Sequence, residues 1–333
     1  MLGAPGKGDQ MFKTRVTEKL GIEHPIIGGA MMWLSTPPFV AAISEAGCLG
    51  LLASAMWKTR EEFRDAVQQV KALTKKPFGC NLNLFPMMRP IDNEIYLQVL
   101  LDEGVKIIET SGHKAPEDLA ARFKEAGVTW IHKCVGVRYA KKAASLGADM
   151  ITVVGYENGG ATGVLDLGTF VLVTRTVEEL KVPVIGGGGV VNGRGLASIL
   201  ALGAEGVIMG TRFLFADECP IHAKLKQALC EAQETDTVLV MRTIGNTHRV
   251  WNNTKAKTIV ELAARKATLA ELIKAAAGTF DREMFLSGDV ERGKVSVGQG
   301  IGSCREVKPM KAIVAEIMDE AKLAVERLQR VAG

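Results

Sequence analysis

The chain has 333 residues, of which 47% are hydrophobic and 23% are charged, and its formal net charge is +4. This composition is typical of a globular protein with a large core, and no apolar run approaches the roughly 18 residues that span a bilayer. Because the basic residues are dispersed and aromatic residues make up only 5%, the sequence argues against nucleic-acid binding and against membrane insertion.

The amino-terminal segment and the cysteines indicate the compartment. Residues 1–10 (MLGAPGKGDQ) lack the apolar stretch of a signal peptide, and we predict a disordered lead before the fold begins at residue 11. The six cysteines form no C-x-x-C pair, which favours reduced thiols over disulfides or a zinc site. The sequence therefore predicts a cytoplasmic protein without a bound metal.

Eight short apolar or β-branched runs alternate with segments of helical apolar spacing. The runs cover residues 24–31, 48–55, 78–85, 105–112, 129–136, 148–155, 182–189 and 206–215. Runs that are apolar on both faces and separated by helices are typical of parallel strands, and eight of them predict an α/β fold, a (β/α)8 TIM barrel, over residues 11–216. An open doubly wound sheet is the alternative.

The alternation stops after the eighth run. Residues 217–298 predict a helical subdomain that acts as a lid or pocket wall, and residues 299–333 predict a return to the barrel and a long C-terminal helix. Active sites of barrels lie at the carboxyl ends of the strands. Because the insertion interrupts the last strand-helix unit, both of its ends should emerge beside the site.

Glycines end the seventh and eighth strands. Loops after these two strands often form a phosphate site in barrels, because glycine lets backbone N–H groups approach oxygen atoms and a helix N-terminus adds a favourable dipole. Glycines that only let helix and sheet pack closely are the alternative interpretation. The residues predicted to bind phosphate are Gly187, Gly188, Gly189, Gly210 and Thr211.

Other strand ends predict a flat ring with an amide-like edge. The small residues Gly29 and Ala30, followed by Met31, allow a ring to lie against the backbone after the first strand. Asn81 can pair with a carbonyl and a ring N–H, and Lys133 would stabilise an anionic reduced flavin. These residues favour flavin mononucleotide (FMN). A buried asparagine that ties strands together and an ion-paired lysine are the alternatives.

The segments HPIIGGAM, GCNL, IHKC, VPVIGGGGVVNGRG, ALGAEGVIMGTRF and ECPIH resemble, in this order, the nitronate monooxygenase family over about residues 12–310. This family also contains NADH:quinone reductases and flavin-type enoyl-acyl-carrier-protein reductases, and its fold is an FMN-binding barrel with an extra helical domain. The resemblance implies that Gly160, Gly298 and Gln299 also lie at the flavin.

The chain departs from the family pattern at two positions of the site. Many members carry a glutamine where this chain has Gly28, and a histidine where it has Ala161. A positioned histidine supplies general base catalysis of roughly 10²–10⁴-fold. Oxidation of an anionic nitronate does not need that step, whereas removal of a proton from a neutral nitroalkane does.

Three residues are candidate acid/base catalysts in place of that histidine. His113 follows the fourth strand, Tyr156 follows the sixth, and His222 begins the insertion near the barrel mouth. A tyrosine proton donor would suit the reduction of an enone or a quinone. Each of the three also has a purely structural interpretation.

The preferred hypothesis is an FMN-dependent oxidoreductase that uses NAD(P)H to reduce a quinone or an activated alkene such as an enoyl thioester. Alternatives are a nitronate monooxygenase that oxidises alkyl nitronates with oxygen, a flavin-free barrel aldolase or isomerase acting on a phosphorylated metabolite, and a non-catalytic flavin carrier. GIGSC (300–304) resembles the cysteine loop of inosine monophosphate dehydrogenase, but it follows the insertion rather than the sixth strand, which favours a packing role for Cys304.

The sequence does not specify which nicotinamide donor the protein uses or its oligomeric state. No strand-helix Gly-x-Gly-x-x-Gly fingerprint distinguishes NADH from NADPH, and Arg242 or Arg249 in the insertion could meet a 2′-phosphate or a CoA thioester. The sequence is compatible with a homodimer.

Overall fold

The computed structural model describes residues 12–85, 92–112 and 114–333. The strands, numbered in chain order, are β1 (Ile26–Gly28), β2 (Gly50–Ala53), β3 (Phe78–Asn83), β4 (Ile107–Ser111), β5 (Thr129–Cys134), β6 (Met150–Val154), β7 (Gly160–Ala161), β8 (Val184–Gly187), β9 (Gly206–Met209), β10 (Thr237–Val240) and β11 (His248–Trp251). The helices are α1 (Arg15–Leu20), α2 (Pro37–Glu45), α3 (Arg60–Leu73), α4 (Asn93–Asp102), α5 (Glu117–Glu125), α6 (Val137–Ser145), α7 (Thr169–Glu179), α8 (Gly193–Ala201), α9 (Ala223–Glu231), α10 (Thr254–Ala264), α11 (Leu269–Ala275), α12 (Gly278–Ser287) and α13 (Met310–Ala332).

Strands β1 to β6, β8 and β9 form a closed parallel barrel. They are hydrogen-bonded in the order β1-β9-β8-β6-β5-β4-β3-β2, and a parallel bridge between Ile27 and Leu49 joins the two outer strands. Each of the eight predicted runs contains one barrel strand. The barrel prediction is therefore confirmed, and the open-sheet alternative is wrong.

The outer helices form where the sequence provides a cap and an apolar stripe, as α3 illustrates. The Thr59 side chain caps α3 by accepting a hydrogen bond from the Glu62 N–H, one of the donors that a first helical turn leaves unpaired. Apolar residues at helical spacing then turn one face of α3 towards the barrel. The buried residues of this face are Phe63, Ala66, Val67 and Val70.

Apolar side chains fill the inside of the barrel and are closed off by α1. Val16 and Leu20 of α1 belong to one buried cluster with strand residues that include Ile27, Ile131 and Ile185. Burial of a side chain of this size stabilises a fold by about 1.5–3 kcal/mol. The polar residues of the strands lie nearer the carboxyl ends, so that end of the barrel carries the candidate site.

The segment 217–298 contains helices α9 to α12 and also two strands that the sequence analysis missed. β10 and β11 pair antiparallel, and β11 pairs antiparallel with β7 in the loop after β6. The segment has a core of its own, formed by Val240, Met241, Val250, Ala256, Ile259 and Leu272. Backbone hydrogen bonds therefore tie the inserted segment to a loop of the barrel mouth.

Helix α13 returns to the barrel and packs against α8 and α2. Gly193, at the start of α8, permits this close approach, because a Cβ there would lie 2.2 Å from the Ile317 carbonyl oxygen. The Gly193 N–H donates to Oε2 of Glu320 in α13 at 2.9 Å. Within the described residues, no helix combines the length and apolarity that crossing a bilayer requires.

Candidate active site

A cavity of about 490 Å³ lies at the carboxyl ends of the barrel strands. Its volume falls in the range of roughly 300–1,000 Å³ that small-molecule and cofactor sites occupy. The predicted cofactor residues that line it are Gly29, Ala30, Met31, Asn81, Lys133, Gly160, Gly188, Gly189, Gly210, Thr211 and Gly298. Gly187 and Gln299 lie just behind the lining rather than in it.

Four polar side chains from three adjacent strands meet at the base of the cavity, and we call Asn81, Glu109, Ser111 and Lys133 the floor cluster. Asn81 of β3 is paired in register with Glu109 of β4, and Ser111 of β4 with Lys133 of β5. Because side chains alternate along a strand, this register turns all four towards the barrel axis. The chain thus concentrates polar groups at one depth of an otherwise apolar barrel.

Glu109 is the centre of the floor cluster. Its side chain is fully buried, and its Oε2 accepts hydrogen bonds from Lys133 Nζ at 2.8 Å and Asn81 Nδ2 at 2.6 Å. Asn81 Nδ2 also donates to Ser111 Oγ at 3.1 Å. The second carboxylate oxygen, Oε1, has no hydrogen-bond partner among the described residues. A buried carboxylate is stable only when paired, so Glu109 fixes the position of Lys133 at the cavity.

Backbone N–H groups form a cradle at another part of the cavity wall. The N–H groups of Gly188, Gly189, Gly210 and Thr211 have no hydrogen-bond acceptor among the described residues. Gly188 and Gly189 have φ values of +99° and +73°, which only glycine adopts readily. Unpaired N–H groups gathered on a concave surface provide an anion-binding site. We call these four residues the glycine cradle.

Two N–H donors in the first turn of α8 are engaged by other residues of the chain. The phosphate site was predicted to use a helix N-terminus, but the Gly193 N–H binds Glu320 and the Gly195 N–H binds the Asn192 side chain. These carboxylate and amide oxygens already satisfy donors at the positive end of the helix dipole. The glycine cradle therefore consists of loop N–H groups and the start of the 3₁₀ turn Thr211–Phe215.

Polar contacts hold the glycine cradle in place from behind. Glu157 accepts hydrogen bonds from the N–H and hydroxyl of Thr169, and the same hydroxyl lies 2.9 Å from the Gly188 carbonyl oxygen. The Gln299 N–H donates to the Glu157 carbonyl oxygen, and the Gly298 N–H donates to Thr211 Oγ1. The Gln299 backbone is thus part of a brace between two lining residues, Gly298 and Gly300, and its place at the cofactor stays a prediction.

The structure places two of the predicted acid/base candidates outside the cavity lining. The Tyr156 ring packs under the Arg249 guanidinium, 4.5 Å from its Cζ, and the Tyr156 carbonyl oxygen accepts hydrogen bonds from Arg249. His222 caps α9, because its Nδ1 accepts a hydrogen bond from the Lys224 N–H. The third candidate, His113, lies outside the described residues.

Residues of the inserted segment line the outer part of the cavity, and sequence reasoning missed them. Thr247 and His248 face it beside Gly160 and Ala161 of β7, and we call these four residues the rim. His248 is paired in register with Ala161. The sequence analysis missed these residues because the β7–β11 pairing brings them to the cavity, and a two-residue strand such as β7 has no recognisable sequence pattern.

An ion pair and an aromatic side chain complete the outer wall. Lys294 Nζ lies 2.6 Å from Asp281 Oδ2, and both side chains line the cavity. Trp33 also lines it, in the left-handed backbone region at φ +69°, and Arg282 lies over its ring at 5.4 Å. The wall therefore mixes charge with apolar surface, as ligand sites commonly do.

Cys304 is a packing residue. It is fully buried, and burial raises the pKa of its thiol to about 12. A cysteine nucleophile needs a lowered pKa and access to solvent or substrate. Among the described residues, no group of three or more His, Cys, Asp or Glu side chains could hold a metal ion.

The cavity fits a phosphate-bearing flavin. The glycine cradle offers unpaired donors to a phosphate. Gly29 and Ala30 leave backbone accessible to a flat ring, and Lys133 offers positive charge to the ring's polar edge. A Cβ at Gly210 would meet only Met31 Sδ, at 3.9 Å, so the cradle is open on the cavity side.

Comparisons with known proteins identify the family of the chain. The profile of the family described as nitronate monooxygenase matches residues 13–320. FabK from Thermotoga maritima is 34% identical, with a TM-score of 0.89, over 96% of this chain and 100% of that chain. A probable nitronate monooxygenase of Staphylococcus aureus is 30% identical over 72% of this chain and 79% of that protein.

A third relative comes from Rhodococcus jostii. It is named (3aS,4S,5R,7aS)-5-hydroxy-7a-methyl-1-oxo-octahydro-1H-indene-4-carboxyl-CoA dehydrogenase and is 38% identical over 242 residues. The match covers 72% of this chain and 66% of that relative, so it spans slightly less than two thirds of the relative's length.

Proposed function

Because the chain belongs to the nitronate monooxygenase family, we propose that it is a flavin-dependent oxidoreductase with FMN as its cofactor and NAD(P)H as its electron donor. Its substrate is an activated alkene, such as an enoyl thioester, or a quinone. The observation that carries the proposal is the pairing of two features in one cavity: the glycine cradle, and Lys133 held by a buried carboxylate.

The bound flavin supplies two-electron transfer between donor and acceptor. The chain's own residues bind and orient it. N–H groups of the glycine cradle would hold the phosphate, and Asn81 and Lys133 would lie at the polar edge of the ring. The Lys133 ammonium, which Glu109 holds in place at 2.8 Å, would stabilise negative charge at that edge.

Two of the similar proteins favour reductase or dehydrogenase chemistry on thioesters. FabK belongs to the enoyl-acyl-carrier-protein reductases named above, and the Rhodococcus relative is named as a dehydrogenase of a CoA thioester. A thioester carbonyl conjugated to the double bond makes the far alkene carbon electrophilic, which suits hydride transfer. The outer wall, with its Asp281–Lys294 pair beside apolar side chains, offers both charged and apolar surface to such a substrate.

Nitronate oxidation is the second candidate, supported by the similarity to a probable nitronate monooxygenase. Ala161 offers no base, and an anionic nitronate requires none. This reaction would pass electrons from the substrate to the flavin and then to oxygen, and it would not use NAD(P)H.

One titration separates these possibilities. The purified protein is first examined for flavin by absorbance and mass spectrometry, and then mixed anaerobically with NADH, with NADPH and with propyl nitronate. Bleaching of the flavin by either nicotinamide supports the reductase. Bleaching by the nitronate alone would replace it with the monooxygenase, and absence of any flavin would favour an aldolase or isomerase. Bound flavin that none of the three reagents reduces would indicate a carrier.

The reduced cysteines and small-molecule cavity are compatible with a cytoplasmic enzyme that acts on a soluble metabolite. The described cysteines are all free thiols, and five of the six are buried. A homodimer remains a prediction, which sedimentation equilibrium would test.

A further inference from the structure

The Asn81 side chain has a fixed arrangement of donor and acceptor in the floor cluster. Asn81 is 6% exposed and lines the cavity. Its Nδ2 donates hydrogen bonds to Glu109 Oε2 at 2.6 Å and to Ser111 Oγ at 3.1 Å. An amide nitrogen carries two protons, so both are used within the cluster. Towards a ligand, Asn81 therefore acts through Oδ1, which is an acceptor.

Glu109 determines this orientation of the amide. An ionised carboxylate only accepts hydrogen bonds, and that of Glu109 is paired with the Lys133 ammonium at 2.8 Å. If the Asn81 amide were turned over, its carbonyl oxygen would oppose the Glu109 carboxylate, and two buried acceptors would face each other. Ser111 does not decide the orientation, because a hydroxyl both donates and accepts. Its Oγ also lies 3.4 Å from Asn81 Oδ1, a long contact that leaves Oδ1 an acceptor position for a ligand.

Glu109 acts through its neighbours rather than on the ligand. Among the described residues, Asn81 and Lys133 line the cavity, whereas the fully buried Glu109 lies behind them. Lys133 Nζ carries three protons and donates one of them to the same Glu109 oxygen that Asn81 binds. The carboxylate thus makes the floor present an acceptor at Asn81 and donors at Lys133. The complementary ligand edge has an N–H next to a carbonyl, as the pyrimidine edge of a flavin does.

We propose that Glu109 is a positioning residue for the cofactor: it orients the Asn81 amide so that Oδ1 accepts a hydrogen bond from the N3–H of the flavin ring. This inference rests on the proposed FMN cofactor. It narrows the role of Asn81, because the amide meets the ring N–H and not a ring carbonyl. If Glu109 served only as the counter-charge of Lys133, the orientation of Asn81 would not depend on it.

Two substitutions separate orientation from charge. Glu109→Gln and Glu109→Met remove the same negative charge and introduce side chains of similar length. The glutamine carbonyl can still accept a hydrogen bond from Asn81 Nδ2, whereas the methionine thioether is only a weak acceptor. A difference between the two variants therefore reports the orientation of Asn81, and an effect that they share reports the lost charge.

The readout is the ring N3–H itself. FMN labelled with ¹⁵N at N3 is bound to each full-length apoprotein, and ¹H–¹⁵N NMR measures how fast N3–H exchanges with water. We expect slow exchange in the wild type and in Glu109→Gln, and exchange at least about tenfold faster in Glu109→Met, because the buried hydrogen bond is lost. Asn81→Leu, which removes the acceptor, should match Glu109→Met. The Kd for FMN, measured by quenching of flavin fluorescence, should be at least about tenfold higher in Glu109→Met than in Glu109→Gln.

Both Glu109 variants leave the Lys133 ammonium without its carboxylate. If either variant fails to fold, the same comparison is made in a Lys133→Met background, in which no unpaired charge remains. Equal N3–H exchange in the glutamine and methionine variants, or rapid exchange in the wild type, would overturn the inference and leave the proposed function intact. Wild-type protein that binds no flavin would overturn both.

Discussion

The floor cluster, through Asn81, Ser111 and Lys133, and the rim line the same cavity, yet different kinds of structure position them. Asn81, Glu109, Ser111 and Lys133 stand on neighbouring parallel strands, where the ladder register fixes their spacing. The rim depends on two backbone pairs between β7 and β11. A site can thus combine a floor that a barrel fold determines with a rim that an inserted segment supplies. Four predictions test this contrast.

The largest effect should come from the charge balance of the floor. Glu109→Gln leaves the Lys133 ammonium without a carboxylate partner in a mostly buried place. Removing one member of a buried pair destabilises a protein by about 3–5 kcal/mol. We expect a decrease of this size in the free energy of unfolding, measured by urea denaturation.

The matched control for this substitution removes both charges. Glu109→Gln combined with Lys133→Met should be more stable than Glu109→Gln alone, because no unpaired charge remains. If the double variant were instead destabilised by the sum of the two single effects, the floor pair would not be a coupled unit.

Two glycines with positive φ provide a comparison between the barrel and the rim. In Gly188→Ala, the new Cβ would lie 2.6 Å from Thr169 Oγ1 and 2.9 Å from the Gly155 nitrogen. In Gly160→Ala, the nearest atom would be Ser296 Cβ at 3.7 Å. Backbone strain alone costs about 1 kcal/mol, and a clash adds about 1–3 kcal/mol.

We therefore expect Gly188→Ala to lower the free energy of unfolding by about 3 kcal/mol and Gly160→Ala by about 1 kcal/mol. Thermal unfolding followed by circular dichroism would measure both. Equal losses of unfolding free energy in the two variants would show that the backbone around the glycine cradle accommodates a Cβ as readily as the rim does.

Acid should weaken the barrel through His132. This side chain is fully buried. Its Nδ1 lies 2.8 Å from Thr110 Oγ1, and its Nε2 has no partner among the described residues. Burial, and secondarily the charge of Lys133, lowers the pKa of His132 to about 4. The folded state therefore resists protonation, whereas the unfolded chain takes up a proton below roughly pH 6.5.

The stabilisation from neutral His132 is complete above about pH 6.5 and is lost as the pH falls towards 4. We expect the free energy of unfolding to fall by about 2 kcal/mol between pH 7 and pH 5 because of this group. Urea titrations at both values would measure it. In His132→Asn this part of the pH dependence should disappear, and an unchanged slope would assign it to other residues.

The smallest effect is expected at the outer wall. Asp281→Asn removes the ion pair with Lys294, whose side chains are 17% and 13% exposed respectively. Unlike the Glu109 carboxylate, that of Asp281 is not fully buried, and the new amide oxygen can still accept a hydrogen bond from the Lys294 N–H, so we expect a loss of about 1 kcal/mol. Urea denaturation should show a loss of about this size, with the flavin content unchanged. A loss as large as that of Glu109→Gln would contradict the division between floor and wall.

The barrel was predictable from the sequence because each parallel strand is encoded locally, as an apolar run followed by a helix. The same regularity placed Asn81 and Lys133 at the cavity. Glu109 was missed, although a charged residue inside the apolar run VKIIETSG is a usable signal: such a residue must find a partner on a neighbouring strand.

The rim and the supporting contacts were not predictable in the same way. His248 reaches the cavity only because β11 pairs with a two-residue strand that is distant in sequence. Tyr156 and Gln299 follow the expected segments, yet their positions are decided by contacts with Arg249 and Glu157. Tertiary contacts of this kind have no local pattern, so for the rim the sequence indicated the face of the barrel but not the side chains that line it.

The packing of α13 on α8 has a consequence for how the chain folds during synthesis. β9 and the helix that covers the last part of the barrel are separated by the whole inserted segment, and Gly193 of α8 binds Glu320 near the end of the chain. Contacts between residues this far apart in sequence form late in folding. Until they form, the apolar surface that they will cover is exposed and prone to aggregation. The nascent barrel therefore remains incomplete until α13 has been synthesised and has packed on α8.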